Sequence, residues 1–157
     1  MTIPALSTRP VAWQDEEFLW ALFKTVRSAE FAHVPLAPAD LDRILEVQYR
    51  GQKMSYESQY AGGHDIILLD GVPVGRIWLF RGAEERILVD ISLLPAYRNR
   101  GIGGALIERA IAAARAAGVP LRSSVALSNT GSLRLHQRLG FRIAGQDDVY
   151  CDLVVEP

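Results

Sequence analysis

Apolar and polar positions alternate along this chain with two different periods, and the switches between them mark its elements. Asp15-Glu16-Glu17 are acidic residues suited to the positive end of a helix dipole. After them Phe18, Leu22 and Val26 recur at fourfold spacing, with Leu19 and Phe23 beside them. That stripe predicts an amphipathic helix ending near Glu30. Ahead of it, Ile3 to Arg9 reads as a short first strand. Pro35 and Pro38 interrupt the pattern, and a second helix starts around Ala39-Asp40, with Leu41, Ile44, Leu45, Gln48 and Tyr49 on one side. It runs towards Tyr60, grows rich in polar and aromatic residues, and is broken by Ala61-Gly62-Gly63.

The middle of the chain has the texture of strands. Asp65 to Leu69 is an apolar run ending at Asp70-Gly71, a dipeptide that favours a tight hairpin turn. Val72 to Phe80 supplies the partner strand, with Gly75 as a bulge position, and Arg86 to Leu94 a third strand stopped by Pro95. Beyond it, Ile102, Leu106, Ala110 and Ala114 form a helical stripe closed by Gly118 and Pro120. Leu121 to Leu127 is a strand, Asn129 opens a short helix that stops at Gly140, and Phe141 to Ala144 and Val149 to Val155 give two more strands. Strand, helix, strand implies a crossover connection with parallel pairing. The expected fold is therefore α+β: a mixed sheet covered by helices on its faces. With no internal repeat or linker, 157 residues read as one domain spanning 1–157.

Composition removes several function classes. Hydrophobic residues make up 49% of the chain and charged residues 22%, as in ordinary globular proteins. A formal net charge of −1 provides no global field to draw it to nucleic acid or an anionic membrane. Cys151 is the only cysteine, so no intramolecular disulfide can form, which fits a reducing compartment. It reads as a buried strand residue rather than a reactive thiol. Met1 to Arg9 is too short and polar for a signal peptide, and no run approaches the roughly 20 apolar residues of a membrane span. The expected location is cytoplasmic.

The chemistry is concentrated in Leu93-Leu94-Pro95-Ala96-Tyr97-Arg98-Asn99-Arg100-Gly101-Ile102-Gly103-Gly104. A strand ends, a tight loop follows, and a helix begins at once. The first N–H groups of that helix lack intrahelical partners and carry the positive end of the dipole. Glycines at 101, 103 and 104 remove side chains that would keep a phosphate from the backbone, and Arg98 and Arg100 add donors and charge. The segment is neither a Walker A loop nor a complete dinucleotide fingerprint. Glycine spacing alone is equally that of a glycine-rich turn with solvated arginines.

Arg98, Gly101 and Gly103, with Pro95 three residues ahead of Arg98, resemble the Arg-x-x-Gly-x-Gly acyl-CoA loop of the GNAT N-acetyltransferases. Asn129, Ser132, Leu133, Leu135, His136, Leu139, Gly140 and Phe141 are similar to the family's short helix ending in Leu-Gly-Phe. The resemblance implies a GNAT-type, mostly antiparallel sheet with a splayed parallel pair, here Ile87–Leu94 and Leu121–Leu127. It implies acetyl-CoA as co-substrate, no metal, and direct attack of a primary amine on the thioester. Ser92, Leu93 and Leu94 would pair with the pantetheine arm, and a backbone N–H near Leu93 would polarise the acetyl carbonyl. Arg98, Asn99, Arg100, Gly101, Ile102, Gly103, Gly104 and Ala105 would take the pyrophosphate.

Many family members carry a tyrosine acid in the short helix; this chain has His136 there. Asn129, Ser132, Leu133 and His136 lie at i, i+3, i+4 and i+7 and share one helical face. The resemblance implies that the pantetheine arm runs past Asn129, Ser132 and Leu133, and if Asn129 touches it His136 lies on the same side near the sulfur. His136 is accordingly a candidate acid or a packed residue under the sheet, with Tyr150 as an alternative donor and Tyr97 as a packing residue. Asp90, acidic in an apolar strand, is either a general base or half of a buried ion pair with Arg76. Acceptor candidates are Glu30, Tyr49, Tyr56 and Tyr60, walling a pocket for a small amine, or else an ordinary solvated helix face. The resemblance also allows a homodimer through the last strands; the near-neutral charge and the lack of a long apolar run lead to no expected nucleic-acid or membrane partner. Two other functions fit the loop: an acyl-CoA-binding sensor or partner module without turnover, and a nucleotide-phosphate enzyme, against which the lack of magnesium ligands argues.

Overall fold

The computed structural model describes residues 5–157. Seven strands form a mixed sheet in the order β1-β2-β3-β4-β5-β7-β6. They are β1 Leu6–Pro10, β2 Asp65–Leu69, β3 Val72–Arg81, β4 Arg86–Leu93, β5 Leu121–Ala126, β6 Arg142–Gln146 and β7 Tyr150–Val155. Four α-helices accompany them: α1 Glu16–Ser28, α2 Pro38–Gln59, α3 Ile102–Ala116 and α4 Thr130–Arg138. The element order matches the expectation from periodicity. Ile3 and Pro4, expected to open the first strand, lie outside the described residues. The chain divides into two compact units, one ending at Ile77 but also holding Ser92–Arg98, the other formed by Trp78–Ile91 and Asn99–Pro157.

In the first unit, β1 runs antiparallel to β2, and β2 to β3. Asp70 (φ 51°) and Gly71 (φ 78°) both take left-handed backbone, so Leu69 meets Val72 across a two-residue turn. Further along, Ile67 pairs with Gly75 but Leu68 pairs with Pro73, which leaves Val74 as an extra residue: a β-bulge one position before the glycine expected to carry it. α1 buries Leu19, Leu22 and Phe23, a stripe turned slightly from the expected Phe18–Leu22–Val26 line, and hands over to a 3-10 turn at Ala29–Phe31. α2 starts with Pro38 in its first turn, where the missing N–H costs nothing. Only Leu45 of α2 is fully buried; Ile44, Val47 and Met54 are exposed. Tyr49 joins α2 to α1 through ring contacts with Trp20 and Phe23, 5.4 and 5.2 Å between centroids. Ahead of α1, the buried Asp15 carboxylate takes two bonds from Arg9 (2.7 and 2.8 Å) and one from Ala12 N (2.8 Å).

In the second unit, β5 runs antiparallel to β7 from Leu121↔Val155 to Ala126↔Tyr150, and β6 lines the far side of β7. α3 buries Ile102, Leu106, Ile107, Ala110, Ile111 and Ala114, a broad stripe covering about half of the helix circumference at helical spacing. Along β5 the inward positions are Leu121, Ser123 and Val125, alternating with exposed Arg122 and Ser124. The polar residue in that buried row has a partner, described below. Cys151 is buried and unpaired in β7, as its apolar setting implied. No helix among the described residues is long and apolar enough to cross a membrane.

Candidate functional site

Two parallel strands part in the second unit. β4 and β5 pair at Arg86↔Leu121, Ile87↔Arg122 and Leu88↔Ser123, and the parallel register ends there. The rest of β5 pairs only with β7. A cavity of about 360 Å3 opens beside this point, lined in part by Ile87, Ser123, Ser124 and Asp152. Asp90 lies half-buried on β4, beyond the last paired residue.

The loop into α3 is built for exposed backbone. Asn99 (φ 58°) and Gly101 (φ 80°) are left-handed, conformations that asparagine tolerates and glycine adopts freely. Gly101 is the N-cap of α3, and the first intrahelical bond is Ala105 N→Gly101 O at 3.0 Å. The amides of Ile102, Gly103 and Gly104 therefore begin the helix without intrahelical partners. Ile102 plugs its side chain into the core at 1% exposure. Gly103 and Gly104 are different. A Cβ on Gly103 would meet only Ile91 Cδ1 at 4.0 Å, and one on Gly104 only Leu135 Cδ1 at 3.6 Å. Both are ordinary contacts, and neither residue has positive φ. Alanine would fit at both positions and would favour the helix by about 1 kcal/mol each.

The strand end in the first unit is held at several points. Leu94 N donates to Val74 O (2.9 Å), Tyr97 N to Leu94 O (2.9 Å) and Arg98 N to Pro95 O (3.2 Å). The Arg98 guanidinium turns back, with Nε donating to Leu93 O at 3.1 Å. Its two terminal nitrogens make no bond among the described residues.

α4 is fastened to β5 through His136, which is 2% exposed. Asn129 caps the helix, its Oδ1 accepting from Ser132 N at 3.2 Å. His136 Nδ1 lies 2.8 Å from Ser132 O, an atom that can only accept, so Nδ1 carries the proton. Nε2 is then the acceptor for the Ser123 hydroxyl at 3.1 Å. Burial pushes the His136 pKa down, opposed by the bond to Ser132 O. The ring is neutral, edge-on to Phe141 at 4.9 Å, with both nitrogens engaged. Ser123 escaped the sequence reading, although a serine in the inward row Leu121–Ser123–Val125 was a visible signal. Tyr150 stands at the surface, 49% exposed, opposite Ala126 at the end of β5. The Asp147 carboxylate accepts its backbone N–H.

The acceptor candidates all fall in the first unit. Tyr49 donates its hydroxyl to Glu16 Oε1 at 2.8 Å, and burial together with that carboxylate raises its pKa. Tyr49 therefore struts α1 against α2 and offers mainly a ring. Tyr56 and Tyr60 meet edge to face at 6.3 Å. Glu30 lies in the 3-10 turn after α1, 3.9 Å from Arg27. The buried Arg76 donates to Gln52 on α2 at 2.8 Å.

No curated protein sequence matches this chain. Many solved structures do. The PaiA N-acetyltransferase from Thermoplasma acidophilum in complex with coenzyme A aligns over 98% of this chain and 99% of its own, with TM-score 0.74 and 17% identity. An acetyltransferase from Thermus thermophilus aligns over the whole of both chains, with TM-score 0.70 and 22% identity. A chimera of the spermidine N-acetyltransferase SpeG from Vibrio cholerae aligns over 96% and 95%, with TM-score 0.65 and 17% identity. These likenesses establish the fold. The profile of the acetyltransferase (GNAT) family matches residues 19–141, which include the α3 loop, the parted strands and the Leu-Gly-Phe end of α4. The chain therefore belongs to the acetyltransferase (GNAT) family, and is an acyl-CoA-dependent acetyltransferase.

Proposed function

We propose that this protein transfers the acetyl group of acetyl-CoA to the primary amine of a small molecule. The amine nitrogen bonds to the acetyl carbon, the carbon–sulfur bond breaks, CoA leaves as a thiolate, and the amine gives up one proton. One observation carries the reading: two consecutive glycines at the start of α3 that the fold itself does not require. Unrequired glycine is not evidence alone, since Gly51 in α2 also faces open space. At 103–104 it coincides with amides that have no helical partner, and bare backbone there suits an approaching diphosphate.

In this reading the amides of Ile102, Gly103 and Gly104 hold the pyrophosphate. The outer nitrogens of Arg98 and the side chain of Arg100 add charge. The backbone of Ser92 to Leu94 receives the pantetheine arm, and the Leu93 N–H faces the oxygen on which charge develops. Asn129, Ser132 and Leu133 flank the arm. Asp90 is the base. Of the two acids, Tyr150 is the better placed, because its ring is exposed while His136 is buried with its only proton donated to Ser132 O. Glu30, Tyr49, Tyr56 and Tyr60 belong to the acceptor side, and the spermidine enzyme among the similar folds favours a small amine.

The test combines calorimetry with acetyl-CoA and thioester consumption against a panel of polyamines, amino acids and aromatic amines. Binding with consumption on one class supports the proposal. Binding without consumption on any amine would instead point to an acyl-CoA-binding module. Absence of acetyl-CoA binding overturns both.

A further inference from the structure

The bulge in β3 is aimed at the end of β4. Register slips between Ile67 and Leu68, so Val74 has no partner on β2. Its carbonyl turns to the other neighbour and accepts from Leu94 N at 2.9 Å. The next residue, Gly75, lies directly against the same segment. A Cβ on Gly75 would overlap the carbonyl oxygen of Ser92 and stand 2.9 Å from Leu93 Cδ2 and 3.1 Å from Leu93 Cα.

Two of those three neighbours are backbone, which cannot swing aside as a side-chain tip can. Gly75 has no positive φ, so conformation does not call for glycine. Space does: glycine inside a strand often marks the place where another backbone comes close. Ser92–Leu94 is thereby located from three directions: Val74 O holds Leu94 N, Arg98 Nε holds Leu93 O, and the bare Cα of Gly75 sets how near Ser92 and Leu93 can lie to β3.

We infer that Gly75 is a positioning residue for acyl transfer, setting the place of the Leu93 amide by the absence of its own side chain. The inference rests on the reading that this amide faces the acetyl oxygen. A methyl group at position 75 would push Ser92–Leu93 away by roughly an ångström to restore van der Waals distance. A displacement of that size at a reacting centre costs up to ~100-fold in rate. The amides of α3 would be untouched, so acetyl-CoA would still bind.

Gly82 provides a control that is crowded less severely but also against backbone. A Cβ there would stand 2.8 Å from Glu85 O and 2.8 Å from Phe80 Cε2, crowding of a similar kind in the β3–β4 turn rather than at Leu93. The experiment compares wild type, Gly75→Ala and Gly82→Ala. It reads melting temperature, acetyl-CoA affinity, kcat on whichever amine the panel selects, and the 15N–1H shift of the Leu93 amide on adding acetyl-CoA. Both variants should lose some stability. Only Gly75→Ala should lose ~10–100-fold in kcat with affinity changed less than ~3-fold, and only it should lose the Leu93 amide response. Wild-type kcat and an unchanged Leu93 response in a folded Gly75→Ala overturn the inference alone. Equal loss of kcat in Gly82→Ala also overturns it, since general strain then accounts for the effect. A wild-type Leu93 amide that ignores bound acetyl-CoA overturns the reading on which it rests. Should Gly75→Ala not fold at the assay temperature, all three proteins are compared at lower temperature in a stabilising osmolyte, with the same readouts and the same outcomes.

Discussion

Gly103→Ala separates what the fold needs from what a ligand needs, because the two effects have opposite sign. In the free protein the new methyl meets only Ile91 Cδ1 at 4.0 Å, so it introduces no clash. Replacing glycine by alanine in a helix gains about 0.5–1 kcal/mol. At this chain length 1 kcal/mol moves the melting temperature by about 2–4 °C. The variant should therefore melt about 1–4 °C higher than wild type without ligand. Acetyl-CoA should reverse the order. A methyl group beside the α3 amides weakens hydrogen bonds to a charged phosphate, each worth about 1.5–3 kcal/mol. Partial loss of one is a decrease in affinity of roughly 30-fold. At a ligand concentration 100 times the wild-type Kd, wild type gains about 2.7 kcal/mol, and the variant only about 0.9 kcal/mol. The deficit of about 1.8 kcal/mol exceeds the intrinsic gain, so the melting curves should cross. Differential scanning fluorimetry with and without acetyl-CoA, checked by calorimetry, measures both halves. A ligand-free melting temperature below wild type would show that the fold itself demands this glycine. Unchanged acetyl-CoA affinity would remove the pyrophosphate from the start of α3.

Three further outcomes follow from the same structure. His136→Phe should destabilise by about 2–4 kcal/mol, from two lost bonds and an orphaned buried Ser123 hydroxyl; adding Ser123→Ala should restore about 1 kcal/mol or more in urea unfolding, and strict additivity would contradict the Ser123–His136 bond. Stability should fall in two stages on acidification: the lowered His136 pKa means the unfolded chain takes up its proton first, so the loss begins as pH drops through about 6.5, and Asp15, lowered to about 2 by Arg9, adds a second loss from about 3.8 downwards. Both groups lose stability on protonation, and His136→Phe should erase the first stage alone in pH-dependent unfolding. Tyr150→Phe should reduce kcat by about 100-fold or more if its hydroxyl protonates the departing thiolate, with acetyl-CoA affinity unchanged; full activity in steady-state assays would end that assignment.

Periodicity and turn chemistry made most of the fold legible. Asp70-Gly71 specified its hairpin because both residues tolerate left-handed backbone, and Asn129 specified the start of α4 by its capping oxygen. The glycine loop announced itself because it breaks helix propensity just where a helix begins. Contacts made across the fold were far less visible. Gly75 read as a bulge, but what it makes room for lies 17 residues further on, at Ser92, and no local pattern connects them. The composition around Tyr49 carries no sign of its bond to Glu16, on a different helix, because that bond depends on how α1 packs on α2. Asp15 looked like a helix-start residue, while its actual role includes a bidentate bond to Arg9 on β1.

His136 shows most directly why residue type and helical phase fall short of assigning chemistry. Phase placed it on the face shared by Asn129, Ser132 and Leu133, and imidazole is the side chain whose ordinary pKa suits proton transfer. Both facts hold equally for a histidine that reacts and for one that braces. The difference lies in its hydrogen-bond inventory. A neutral imidazole has one N–H to give, and here it goes to Ser132 O, while the remaining lone pair is taken by Ser123. To serve as an acid the ring would first have to take up a second proton, which burial disfavours; giving up its single N–H instead would break the bond that ties its own helix turn and leave an imidazolate. The ring instead ties the helix turn bearing Ser132 to Ser123 on β5. Tyr150, 49% exposed opposite the end of β5, needs no such rearrangement, and a large loss of kcat in Tyr150→Phe is what separates a required acid from a thiolate that leaves unaided.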